Sequence, residues 1–155
     1  MKAGHAPGIP GLQATRTTGV LMDAVFDGQC GFCTRAVGWV RRLDRHHRIA
    51  FHPFQDPLTL DAFRLSHEEA RSAVWALTDD GGRFRGARAI AAILDTAVGG
   101  RFFATFYRIP GVGRLQEAVY GWVAAHRYRL PGVSPWCTEH PQDCSAAVPG
   151  AGCAL

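Results

Sequence analysis

Apolar positions along the chain follow two periodicities, and together they predict a domain of mixed strands and helices. Short apolar runs at 20–26 and 49–54 predict buried strands. Between them, over 30–45, apolar residues recur at helical spacing and arginines fill the opposite side. Segments 73–78 and 83–86 flank a Gly-containing loop, which predicts a β-hairpin.

More helices are predicted before and after this hairpin. Ser66 is followed three residues later by Glu69, the capping-box pattern of a helix start. Apolar positions at helical spacing predict further helices at 87–98, 101–107 and 114–128. The helical content therefore increases towards the C-terminus.

The order of these elements decides the fold class. Strand, helix, strand, short helix, hairpin and helix is the thioredoxin-like β-α-β-α-β-β-α core, here α/β with additional C-terminal helices. We assign residues 19–130 to this domain with its helical extension, and we expect Trp122 of the last helix in its core. Gly and Pro predict a flexible leader at 1–18 and a loose Pro/Gly/Cys-containing tail at 131–155.

Composition and charge narrow the classes of function. The 155 residues are 47% hydrophobic and 19% charged, which fits one globular domain. The net charge of +4 comes from dispersed arginines, so we expect no nucleic-acid partner. We find neither a secretory signal nor a transmembrane segment and therefore expect a cytoplasmic protein, of oligomeric state that the sequence does not indicate.

The candidate chemistry lies where the first strand turns into the first helix. Residues 27–33 read DGQCGFC, and a spacing of three on a helix puts Cys30 and Cys33 on one face. Helix N-termini favour thiolates, and open α/β sheets place their sites at the carboxyl ends of strands. We interpret Cys30 as nucleophile and Cys33 as resolving thiol of a thiol-disulfide oxidoreductase. Its partners would be protein or low-molecular-weight thiols and disulfides, with no cofactor beyond the dithiol.

Asp27 is the third candidate catalytic residue, with two interpretations. It caps the helix by accepting from backbone N–H groups, or it accepts the proton of Cys33 when a mixed disulfide resolves. An ionised Asp27 near Cys30 would also oppose thiolate formation.

The cysteines allow a second class of function, a non-catalytic metal-binding or interaction module. Cys30 and Cys33 would form half of a zinc site, completed by Cys137 and Cys144 or a histidine. Cys137 and Cys144 are separated by six residues, which matches zinc-knuckle spacing poorly. Cys137 is alternatively a third redox thiol or a packed thiol, and Cys144 and Cys153 have no assigned role.

The motif with its surroundings resembles a known family. An apolar strand followed by FDGxCGxC at 26–33 is similar to the opening of the DCC family of thiol-disulfide oxidoreductases. The similarity covers roughly 20–137 and continues through 49–55, 86–90, 109–120 and the His-Arg-Tyr-Arg segment 126–129. The resemblance implies a thioredoxin-like fold and disulfide oxidoreductase activity.

Two features of the chain are not explained by this resemblance. Thioredoxins place a cis-proline beside the dithiol, whereas residues 71–74 contain no proline, which puts the usual backbone pairing with substrate in question. Arg127 and Arg129 either bind an anionic partner such as glutathione or pair with carboxylates and helix ends.

Overall fold

A four-stranded mixed sheet forms the centre of the computed structural model, which describes residues 19–144. Its strand order is β2-β1-β3-β4. β1 (Met22–Phe26) pairs in parallel with β2 (Ile49–Pro53) and antiparallel with β3 (Trp75–Thr78). β3 pairs antiparallel with β4 (Arg83–Arg85), so β1 is an interior strand, buried along its whole length.

Helices connect and cover these strands. In chain order they are α1 (Gly31–Leu43), α2 (Pro57–Phe63), α3 (His67–Ser72), α4 (Gly86–Val98), α5 (Phe102–Tyr107), α6 (Val112–His126) and α7 (Trp136–Glu139). The structure confirms the predicted fold class, because the order of its elements gives a thioredoxin-like α/β core with C-terminal helices. Within residues 19–144, no helix is both long and apolar enough to cross a membrane.

The core has one apolar cluster on each face of the sheet. Alternation along β1 directs Met22 and Ala24 to one face, where they pack with Ile93 of α4. Val25 faces the other side and packs with Phe63 and its neighbours. Because both apolar clusters pack against β1, they hold its carboxyl end in place, and the chain turns from there into α1.

Helix α6 differs from the sequence prediction in the face it buries. Trp122 was expected in the core but is 58% exposed. Tyr120, Val123 and, at the C-cap of the helix, Arg127 line an apolar cavity instead. Residues three and four positions apart share a helix face, so Tyr120, Val123 and Arg127 point to the same side. Trp122 lies on a different side of the helix and faces outwards.

The segment 131–144, which we call the strap, also differs from its prediction. It was expected to be loose, yet it contains α7 and a disulfide between Cys137 and Cys144. Gly132 explains the close docking, since an added Cβ there would lie 2.3 Å from the carbonyl carbon of Gly31. The predicted leader 1–18 and the rest of the predicted tail lie outside the described residues.

Candidate active site

The Cys-x-x-Cys pair lies where the sequence predicted it, at the N-terminus of α1. Cys30 is the N-cap, with extended backbone, and its Sγ accepts a hydrogen bond from the backbone N–H of Cys33 at 3.1 Å. Both cysteines are free thiols. A capping sulfur faces the unpaired N–H groups of the first turn, which stabilise negative charge there.

The two sulfurs differ in the protonation state that their surroundings favour. A hydrogen bond from the Cys33 thiol lowers the pKa of Cys30 to about 7, although burial and the charge of Asp27 act in the opposite direction. The same hydrogen bond, with burial, raises the pKa of Cys33 far above its usual value. When the pair loses a proton, the negative charge therefore resides on Cys30, while Cys33 keeps its proton.

Cys30 is not accessible in this structure. It is 0% exposed, whereas Cys33 is partly exposed. The strap bonds to residues on both sides of Cys30: its backbone N–H groups donate to the carbonyl oxygens of Gly28 at 3.0 Å and Gly31 at 3.2 Å. A third strap N–H donates to Thr34 Oγ1 at 3.0 Å. The sequence interpretation treated Cys30 as an accessible thiolate, so attack on an outside substrate requires the site to open.

Asp27 is buried, 5% exposed, and accepts hydrogen bonds on both oxygens. Oδ1 accepts from the N–H of Gln29 at 3.0 Å and from Nε2 of Gln55 at 2.7 Å. Oδ2 accepts from Nη2 of Arg127 at 3.2 Å and from the hydroxyl of Tyr128. The bonded N–H of Gln29 precedes the helix, so Asp27 orders the turn while the cap itself is a cysteine. Its predicted role as proton acceptor stays a prediction.

Arg127 is held inside the fold. It is 9% exposed, and its Nη2 also donates to the carbonyl oxygen of Arg71 at 2.7 Å. The structure therefore shows the pairing with a carboxylate that the sequence left as one of two alternatives. Arg129, two residues later, is exposed.

An apolar cavity of about 110 Å³ lies beside Cys33. Asp27 and Arg127 form its polar part, and its apolar lining includes Phe32, Val37, Val74, Tyr120 and Val123. The backbone N–H of Val74 donates to the Tyr120 hydroxyl at 2.8 Å. Val74 belongs to the segment that lacks the cis-proline, so its N–H is already bonded within the chain.

Family comparison agrees with this geometry. Residues 24–133 match the family of DCC1-like thiol-disulfide oxidoreductases. The chain belongs to this family. Searches of curated proteins and of solved structures find no significant match.

The first and last residues of the DCC1-like match show which parts of the site it includes. It begins inside β1 and ends in the strap, so it includes the dithiol, Asp27 and the segment that carries Arg127. The Cys137–Cys144 disulfide lies beyond the matched residues. That disulfide is therefore a feature of this chain that the family match does not cover.

The structure also brings residues to this DCC1-like site that periodicity and spacing did not single out. Gln55, Tyr128 and Tyr120 bond to Asp27 or line the cavity with it. All three fell in segments that carry the family resemblance, which was the one available signal. Within 19–144, no three His, Cys, Asp or Glu side chains form a group that could hold a metal ion.

Proposed function

We propose that the chain exchanges thiols and disulfides with protein or low-molecular-weight partners, Cys30 acting as nucleophile and Cys33 as resolving thiol. The observation that carries this role is the hydrogen-bonded thiol pair at the cap of α1. Family membership supports a general thiol-disulfide oxidoreductase role. We place this activity in the cytoplasm, with no cofactor beyond the dithiol.

The exchange proceeds in two displacements. The Cys30 thiolate attacks one sulfur of a substrate disulfide, a Cys30–substrate disulfide forms, and the other substrate sulfur leaves as thiolate. Cys33 then loses its proton and attacks Cys30, which releases the second substrate sulfur and leaves a Cys30–Cys33 disulfide. The substrate gains two electrons, and a cellular dithiol returns the pair to its reduced state.

Asp27 is suited to the second displacement. Cys33 holds its proton strongly, so its attack needs a base nearby. Asp27 and Cys33 line the same cavity, and a water entering it would connect the two groups. We therefore keep Asp27 as the proton acceptor for Cys33.

Substrate approaches from the cavity side in this proposal, after the opening that the burial of Cys30 requires. Arg127 and Asp27 supply polar groups at one part of an otherwise apolar cavity, and Cys33 opens onto it. The buried Nε of Arg127 has no hydrogen-bond partner within residues 19–144, so it is a free donor for a substrate carbonyl. A peptide or thiol with an apolar group next to its sulfur would fit this lining.

The reduction potential of the Cys30–Cys33 pair tests the function. Metal-free chain is equilibrated with defined glutathione buffers, quenched in acid, alkylated and mapped by mass spectrometry. We expect a reversible two-electron transition at roughly −270 to −120 mV, absent in Cys30→Ser. The matched control is Cys153→Ser, which should leave the transition unchanged.

The same preparation tests the metal-binding alternative. Untreated protein is analysed for zinc before metal removal. Stoichiometric zinc, together with no Cys30–Cys33 disulfide in any buffer, would overturn the oxidoreductase proposal. A titrating pair in zinc-free protein would support it.

A further inference from the structure

A second cysteine pair is docked against the dithiol loop. Cys137 and Cys144 are bonded to each other in the strap, whereas Cys30 and Cys33 are free thiols. One chain thus holds one oxidised and one reduced pair. These are the two reactants of a thiol-disulfide exchange.

Cys137 contacts the loop that carries the dithiol at Gly28, two residues before Cys30. Its backbone N–H donates to the Gly28 carbonyl oxygen at 3.0 Å. A Cβ added to Gly28 would lie 2.8 Å from Cys137 Sγ, so the sulfur itself packs on this turn. Gly28 leaves the space in which Cys137 Sγ sits.

A neighbouring aromatic residue fixes this position. Trp136 packs edge-on against Phe26 at the end of β1, with ring centroids 6.0 Å apart. The guanidinium of Arg41 lies 4.5 Å from the centroid of the Trp136 ring. These contacts anchor the residue next to Cys137 onto β1 and α1, so the disulfide is presented to the loop in a defined place.

Exposure gives the two pairs different access to solvent. Cys30 is 0% exposed, but Cys137 and Cys144 are each partly exposed. An outside thiol therefore meets the strap disulfide more readily than it meets Cys30. The strap that shields the nucleophile also carries a disulfide of its own.

We propose that Cys137–Cys144 is a second redox-active disulfide, which exchanges electrons with the Cys30–Cys33 dithiol and connects it to outside thiols and disulfides. The inference rests on the proposed function of the Cys30–Cys33 pair. It extends that function by naming the first reaction partner of Cys30 within the same chain.

The exchange balances within the chain. The Cys30 thiolate attacks Cys137 Sγ, a Cys30–Cys137 disulfide forms, and Cys144 leaves as thiolate. Cys33 gives up its proton and attacks Cys30, so Cys137 leaves as the second thiolate and the proton passes to the strap pair. Two electrons move from the Cys30–Cys33 pair to the Cys137–Cys144 pair, and an outside disulfide reoxidises the latter.

A trapped intermediate tests the relay. In a Cys153→Ser background, Cys33→Ser and Cys144→Ser leave only Cys30 and Cys137 as thiols. We expect them to form a disulfide on mild oxidation, detected as a crosslink between the tryptic peptides 17–35 and 130–155. As an intramolecular reaction, its rate should stay constant over a roughly tenfold range of protein concentration.

The matched control exchanges the strap cysteine that remains. Cys33→Ser with Cys137→Ser, in the same background, leaves Cys30 and Cys144. Because Cys137 is the sulfur packed on Gly28, crosslinking to Cys144 should be slower by about tenfold or more. Equal rates for the two variants would overturn the proposal.

Two further measurements separate the ways of failing. Circular dichroism checks that the variants fold, and Cys33→Ser alone, which keeps the strap disulfide, should yield the same Cys30–Cys137 crosslink with Cys144 as a new free thiol. The Cys30–Cys33 pair is also titrated in a chain with serine at 137, 144 and 153. If that pair titrates but no variant forms the Cys30–Cys137 crosslink, the relay is wrong and the proposed function stands. If the pair does not titrate, both fall.

Discussion

The buried ion pair between Arg127 and Asp27 predicts a large loss of stability on removal of the arginine alone. Arg127→Met keeps much of the side-chain volume but removes the charge and every donor. Asp27, 5% exposed, would lose the cation beside it. The carbonyl oxygen of Arg71 would also lose its donor.

The expected size follows from this burial. Removing one member of a buried pair costs about 3–5 kcal/mol, since the remaining charge is left uncompensated. Gln55 and Tyr128 still donate to Asp27, so we expect the lower end, about 3 kcal/mol. With a urea slope of about 2 kcal/mol/M, the unfolding midpoint should fall by about 1.5 M.

Urea unfolding followed by circular dichroism measures this loss. The control is Arg129→Met, which removes the same charge at an exposed position and should change the free energy of unfolding by less than about 0.5 kcal/mol. Adding Asp27→Asn to Arg127→Met should restore roughly 1–2 kcal/mol, because the buried carboxylate is then neutral. Equal midpoints for Arg127→Met and Arg129→Met would refute the reasoning.

Two more outcomes follow from the site. In the reduced chain, the free energy of unfolding should rise by about 2 kcal/mol between pH 7 and pH 9, because the pKa of Cys30 is lowered to about 7 in the folded state from 9.0. Above pH 9 the free energy of unfolding should fall, because the pKa of Cys33 is raised in the folded state. Cys30→Ser should lack the rise between pH 7 and pH 9. Urea titrations at each pH measure the profile, and a flat profile for the unmodified chain would contradict this expectation. Gly28→Ala should destabilise the chain by about 1–3 kcal/mol, since its Cβ would meet Cys137 Sγ at 2.8 Å. Gly38 lies in the middle of α1, where an added Cβ meets nothing within 4 Å, so Gly38→Ala should stabilise the chain by about 0.5–1 kcal/mol. Thermal unfolding measures both variants, and a shift of their melting temperatures in the same direction would contradict the reasoning from these contacts.

Local signals were sufficient for most of the fold. The Ser66 capping box is present with both of its bonds, from the Glu69 backbone to the serine and from the serine backbone back to the glutamate. Pro53 ends β2, an edge strand, as its missing N–H requires. Each of these features depends on neighbours within a few residues, so a single sequence contains the information.

The strap and the outer face of α6 depend on distant partners. Gly132 read as a flexible residue, yet its lack of a side chain lets the strap approach the backbone of Gly31. Trp122 and Tyr120 are both apolar enough to be buried, and only the position of the cavity decides between them. Periodicity identifies the elements but does not specify which face meets which neighbour.

The charge balance around Cys30 explains why an acidic residue is compatible with a thiolate site. Asp27 disfavours the Cys30 thiolate, whereas the hydrogen bonds from Cys33 and the charge of Arg127 favour it. These contributions leave the pKa of Cys30 at about 7. An attacking thiol is most effective when its pKa is close to the ambient pH, because a lower pKa makes the sulfur a poorer nucleophile. Arg127, one hundred residues from Asp27 in sequence, therefore offsets the charge of the carboxylate that lies next to the dithiol.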